Sequence, residues 1–230
     1  MFMLKRTILL LSAICLVGFA DAQVRIAPMM GFNFNRQVQS SNNNKFQGVF
    51  NTKLNFSVGA MGDILITDFL SIQPELLYTF KGGAYELEAA SVSEKFTNNL
   101  GYLQMPVCIT GKLDVKTGFL FAGAGVYAGR LMYSNYVLEQ NYKNVDAGEL
   151  RVGKDYLRDQ ITPWDYGFKF KAGFELNRGF YMGAFYDVGS KDINPQYAVT
   201  RNKTVGVQIG WSISLTEEDR YERFENFYEF

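Results

Sequence analysis

The stretch NLGYLQMPVCITGKL, residues 99–113, decides the fold. Read with a period of two, Leu103, Met105, Val107 and Ile109 share one face, while Tyr102, Gln104, Pro106, Cys108 and Thr110 share the other. One face is apolar throughout and the other is mixed, the pattern of a strand that separates two media. A proline in such a run ordinarily marks an edge strand, because it removes a ladder donor. Yet FLSIQPELLYTFK, residues 69–81, repeats the arrangement around Pro74.

The same alternation recurs on both sides. WDYGFKFKAGFEL, residues 164–176, sets Trp164, Tyr166, Phe168, Phe170, Ala172, Phe174 and Leu176 against Asp165, Gly167, Lys169, Lys171, Gly173 and Glu175. TVGVQIGWSISL, residues 204–215, does so with Val205, Val207, Ile209, Trp211, Ile213 and Leu215. Weaker versions occupy residues 25–35 and 53–66, and two Gly- and Ala-rich apolar runs occupy 117–132 and 179–189. This makes about eight strands of roughly ten residues, a length that crosses a bilayer at a tilt.

The connections set the class. Long gaps (36–52, 82–99, 133–163 and 190–203) alternate with short ones (67–68, 113–116 and 177–178). That sorting is expected of a transmembrane barrel with short periplasmic turns and longer outer loops, and a soluble sandwich has no reason for it. The expected fold is therefore all-β: an eight-stranded antiparallel transmembrane up-and-down β-barrel, residues 23–215. The oily face meets lipid and the face bearing Lys81, Glu75, Lys169, Lys171 and Glu175 lines the lumen. A closed barrel has no edge strand, so Pro74, facing lipid, and Pro106, facing the lumen, are expected at a bulge or near a rim.

Beyond the strands, the N-terminus reads as an export signal. Lys5 and Arg6 precede an apolar core and Ala20-Asp21-Ala22, which predicts a signal peptide over residues 1–22. Its removal leaves Cys108 as the only thiol, so the mature chain forms no intramolecular disulfide. Lys+Arg and Asp+Glu balance at 23 each, which points away from nucleic acid. The chain has 0 His, which excludes Ser-His-Asp and Cys-His catalysis and imidazole zinc sites.

These residues resemble a known family. YLQMPVCITGK, GFLFAGAGVYAG, DYGFKFKAGFEL and VGVQIGWSISL look like successive strands of the PorT-like outer-membrane β-barrels, over about residues 25–215. The resemblance implies an eight-stranded barrel and, for one branch, a part in type IX protein secretion. It departs in the long gap 133–163 and in the tail after residue 215.

Candidate sites follow from the same reading. GAGVYAG, residues 123–129, has the wrong spacing for a dinucleotide loop, and no helix pattern follows it; small residues in a narrow barrel are expected instead. The inward charges Arg25, Asp63, Glu75, Lys169, Lys171, Glu175 and Asp187 are expected to pair and close the lumen rather than line a conduit. Tyr133, Tyr136, Tyr142 and Tyr156 form a candidate contact surface in the longest gap. The tail, residues 216–230, spaces Tyr221, Phe224, Phe227 and Tyr228 as an aromatic stripe on a charged helix, for a partner or the periplasmic membrane interface; an assembly signal at the terminal aromatic is the other reading. No catalytic residue, cofactor or metal is expected, since Asp146, Glu149 and Asp155 lack calcium-loop spacing. The expectation is a non-enzymatic protein of the cell outer membrane with both termini periplasmic. Its surroundings would be outer-membrane lipid, the barrel-assembly machinery and other secretion or envelope proteins. A small porin or ligand-transport barrel is the alternative.

Overall fold

Alternation in the sequence becomes alternation in space. The computed structural model describes residues 24–40, 51–89, 92–141, 143–153, 155, 158–194 and 199–215. Over these the chain forms β1 (Val24–Ser40), β2 (Lys53–Thr67), β3 (Leu70–Lys81), β4 (Ala84–Ala89), β5 (Val92–Val115) and β6 (Gly118–Gln140). After them come β7 (Lys143–Glu149), β8 (Trp164–Leu176), β9 (Phe180–Gly189), β10 (Val199–Trp211) and β11 (Ile213–Ser214). The predicted signal peptide and the tail, with Tyr221, Phe224, Phe227 and Tyr228, lie outside the described residues.

Eight strands close a ring in the order β1, β2, β3, β5, β6, β8, β9, β10 and back to β1. All their pairings are antiparallel. Closure satisfies every strand edge inside the ring, the condition for placing sheet in hydrocarbon. β11 adds to the lower end of β1. The short connections are tight: Lys116-Thr117 joins Val115 to its direct partner Gly118. Gly118 has φ 152°, and a Cβ there would fall 2.0 Å from the Glu175 carbonyl oxygen, so only glycine fits this turn.

The ring turns its oily face outward. Phe32, Met105, Ile109, Phe168 and Val205 are exposed, each flanked along its strand by buried inward residues. In water this surface would be an aggregation hazard; in a bilayer it is the lipid contact.

The prolines depart from expectation. Pro74 points outward and Pro106 inward, as the phase requires, but neither sits at a bulge. Register is conserved on either side of both, and the ladder is only interrupted: β2 and β3 skip from Met61–Glu75 to Ile64–Ile72, and β3 and β5 skip from Pro74–Val107 to Leu77–Gln104. Each proline lacks the N–H that would have filled its gap. The bulges lie elsewhere, at Leu65/Thr67, Gly101/Tyr102 and Leu138/Glu139.

The gaps 82–99 and 133–163 are also not simple loops. β5 and β6 run on past the ring and carry β4 and β7 on their outer sides, making a four-stranded sheet in the order β4, β5, β6, β7. They leave the ring beyond Leu100, the last partner of β3, and Arg130, the last partner of β8. At that point Gly101 pairs with Tyr133 but Tyr102 with Leu131, leaving Met132 as the extra residue. A bulge bends and twists its strand, which suits the exit from the ring.

Candidate functional site: a charge-neutral lumen

The inward side chains of the ring form three charged tiers. In the lowest, Lys112 of β5 bonds Asp63 of β2 and lies 3.8 Å from Glu175 of β8, which Arg25 of β1 approaches at 3.5 Å. Gln73 donates to Asp63 at 2.9 Å, and Thr110 donates to Gln73 at 3.0 Å. Arg25 and Lys112 both lie over the Phe119 ring, 5.9 and 5.8 Å from its centroid.

The middle tier centres on Glu75 of β3. Lys171 donates to Glu75 Oε1 at 2.7 Å, and Lys169 stands 3.1 Å from Oε2, close but poorly aligned for a hydrogen bond. Lys169 is also 3.8 Å from Asp187 and 4.2 Å from the Phe185 ring centroid. Asp187 accepts a hydrogen bond from Gln104 at 2.9 Å. In the upper tier Lys81 meets Asp165 at 3.0 Å and covers the Tyr127 ring at 4.4 Å, while Tyr127 and Asn202 donate to the same carboxylate.

Each tier is balanced: two cations with two anions, two with two, one with one. Among the described residues five cations and five anions are buried, so the lumen is neutral. An isolated charge here would carry a penalty of several kcal/mol, which pairing offsets. Apolar packing fills the intervals, with Met29, Met61, Leu77, Phe121 and Tyr181 buried together and the Phe121 and Tyr181 rings stacked at 4.9 Å.

Above the upper tier the lumen is covered. Leu100, Tyr102, Leu131, Ile161 and Ile193 form a buried apolar cluster with Leu150 against it. Ile161 and Ile193 belong to the connections on either side of β8 and β9. Leu131 donates from its backbone to Pro163, and Thr162 to Ile193, fixing those connections over the ring.

The seven inward charges named from the sequence are all buried and all engaged in these pairs. Lys81, Lys112 and Asp165 complete the set: strand phase alone places Lys81 and Asp165 on the inward face, without their pairing, and Lys112 is the charge that the sequence reading omits. The available signal was parity alone: Lys112 shares a face with Gln104 and Cys108, and Asp165 with Lys169. GAGVYAG lies mid-strand in β6, away from any helix. A Cβ on Gly125 would come 2.0 Å from the Val107 carbonyl oxygen, so this glycine serves close strand approach. Of the tyrosines in the longest gap, Tyr133 is exposed. Tyr136 stacks on Phe96 at 5.8 Å and donates to Asp146 at 2.9 Å; that bond pushes its phenol up from the ordinary range. Tyr142 and Tyr156 lie outside the described residues. Among the described residues no group of three His, Cys, Asp or Glu side chains is placed to hold a metal.

The sequence matches the family model described as outer membrane protein beta-barrel domain over residues 19–193. The chain belongs to that family. No curated protein matches it by sequence. Solved structures similar to it include Ail, the attachment invasion locus protein of Yersinia pestis (10% identity, 82% of this chain and 98% of that chain, TM-score 0.40). OprG of Pseudomonas aeruginosa is similar at 8% identity, 84% and 96% coverage and TM-score 0.42. Neisserial surface protein A is similar at 11% identity, 81% and 96% coverage and TM-score 0.38. The fold assignment rests on the strand ring and the family match.

Proposed function

We propose that this outer-membrane barrel is a non-conducting, non-enzymatic envelope component that works through its long-connection end, in PorT-like protein secretion or envelope assembly. The observation that carries the closed-barrel reading is the lumen itself: balanced ion pairs in three tiers under an apolar cap. An eight-stranded interior is wide enough only for side chains, and here those side chains hold one another. The projecting sheet β4 to β7 supplies contact surface at that end, where loops carry function in such proteins. β1 begins, and β11 ends, on the side of the short turns; by the usual sorting of outer-membrane barrels that side is periplasmic. The secretion role draws on the resemblance of the strand motifs alone.

Deleting the gene and comparing released with retained proteins, alongside bilayer recordings of the refolded chain, tests both parts. Selective retention of exported cargo, restored by a plasmid copy, together with a silent bilayer is the expected result. An unchanged secretome would remove the secretion role, and reproducible ion-selective steps would replace the closed barrel with a small porin.

A further inference from the structure

Charges inside the barrel are paired; among the described residues one group on its outer face has no ion-pair partner. Arg36 of β1 and Lys203 of β10 are direct cross-strand partners, both turned outward, and Arg201 is two residues along β10 on the same face. Direct partners in an antiparallel pair hold their Cβ atoms about 5 Å apart and diagonal ones about 7–8 Å, and like charges so placed destabilise a sheet. Among the described residues no carboxylate pairs with them. The sequence has no Asp or Glu from residue 24 to 62 or from 193 to 215, a span that includes the connection after β1 and most of the one before β10. The nearby Asp192 accepts from the backbone N–H groups of Asn194 and Thr200. Arg201 spends its Nε on the Ser190 carbonyl, at 3.2 Å, and forms no ion pair among the described residues.

The position of the cluster supplies the missing anion. Directly beneath Arg36 and Lys203, on the same face, come Phe34 with Val205 and then Phe32 with Val207, four exposed side chains of the lipid-facing band. The three cations therefore stand where acyl chains give way to headgroups, on the side of the long connections. We propose that Arg36, Arg201 and Lys203 form a site for the phosphate-bearing headgroup of an outer-leaflet lipid, its chains lying on Phe34 and Val205. Two guanidinium groups and an ammonium are opposite in sign to a phosphate, and guanidinium donates to it in pairs. Snorkelling alone would place cations at a rim, but gives no reason to set two of them directly opposite each other without an acid.

The inference rests on the long-connection end being external, which protease access to a tag in the β6–β7 turn of whole cells checks separately. The test itself is independent of orientation. The full chain is refolded into neutral phosphatidylcholine discs with added phosphorylated lipid A, the same lipid A after phosphatase treatment, or inorganic phosphate, and lipid retention is read by native mass spectrometry. The phosphorylated lipid is expected to be retained roughly tenfold or more above its dephosphorylated form, and the Arg36→Gln/Arg201→Gln/Lys203→Gln variant to lose that preference, while Arg130→Gln keeps it. Equal retention of the two lipids by the unaltered chain would overturn the site without recourse to any variant. So would an unchanged preference in the triple variant, or displacement of the lipid by inorganic phosphate at equal concentration.

Discussion

β5 and β6 pass through two environments, and the two halves of these strands obey different rules. Within the ring, from Tyr102 to Lys112, buried and exposed residues alternate one for one, because one face meets packed polar side chains and the other lipid. Beyond the ring the same strands remain paired, yet residues 135–140 are all half-buried, and β7 is exposed over most of its length. Backbone pairing is common to both halves; a difference between the two faces exists only in the ring. Alternation in a sequence thus reports the contrast between two media rather than the presence of a strand.

The contrast is broken or sharpened by removing matched groups from each half. Glu75→Ala leaves Lys169 and Lys171 buried with only Asp187 at hand, and should cost about 3–5 kcal/mol in urea unfolding of the detergent-folded barrel. Glu149→Ala in β7 should stay within about 0.5 kcal/mol. Comparable losses at the two sites would mean that the lumen pairs are solvated after all. Next in size is Gly125→Ala, where the new methyl meets the Val107 carbonyl and should cost about 1–3 kcal/mol by overpacking. Gly148→Ala in the projecting sheet has the Tyr136 ring as its nearest neighbour, at 3.3 Å, and that ring can swing away; heat-modified gel migration of the two variants separates them.

The smallest effect lies in the sheet. Because the Asp146 bond raises the phenol of Tyr136 above its unfolded value, its contribution is complete below the unfolded tyrosine pKa and is lost as pH rises through the folded one. Tyrosinate absorbance of Asp146→Asn should accordingly begin at lower pH than that of the unaltered chain. Coincident titration curves would show that the bond does not hold in solution.

Much of the ring was legible in the sequence, and the reason is physical. Phase along a strand follows from residue type once one side is hydrocarbon, so the outward Phe168 and the inward Lys169 are assigned without knowing their neighbours. Which inward charges meet is a matter of stagger between strands. Lys81 finds Asp165 across the barrel, and a period of two carries no information about that. The sheet β4 to β7 gives no alternation to read: residues 135–140 are uniformly half-buried and β7 is exposed over most of its length. The prolines, expected at a bulge or near a rim, sit where the ladder tolerates a missing donor inside an unshifted register; among the described residues one of the three bulges marks the point where β5 and β6 part from the ring.

The seam between β1 and β10 bears on how the molecule comes into being. Met29 pairs with Gly210 and Arg25 with Ser214, so the first strand finds one of its two neighbours only when nearly the whole chain is available. Contacts so remote in sequence impose the loop-closure cost before they return any stability, which makes for slow folding. Until then β1 presents a raw edge and an oily face in an aqueous compartment. Survival of the nascent barrel is therefore a race between closure of this seam and aggregation, and one that an escort holding β1 would win for it.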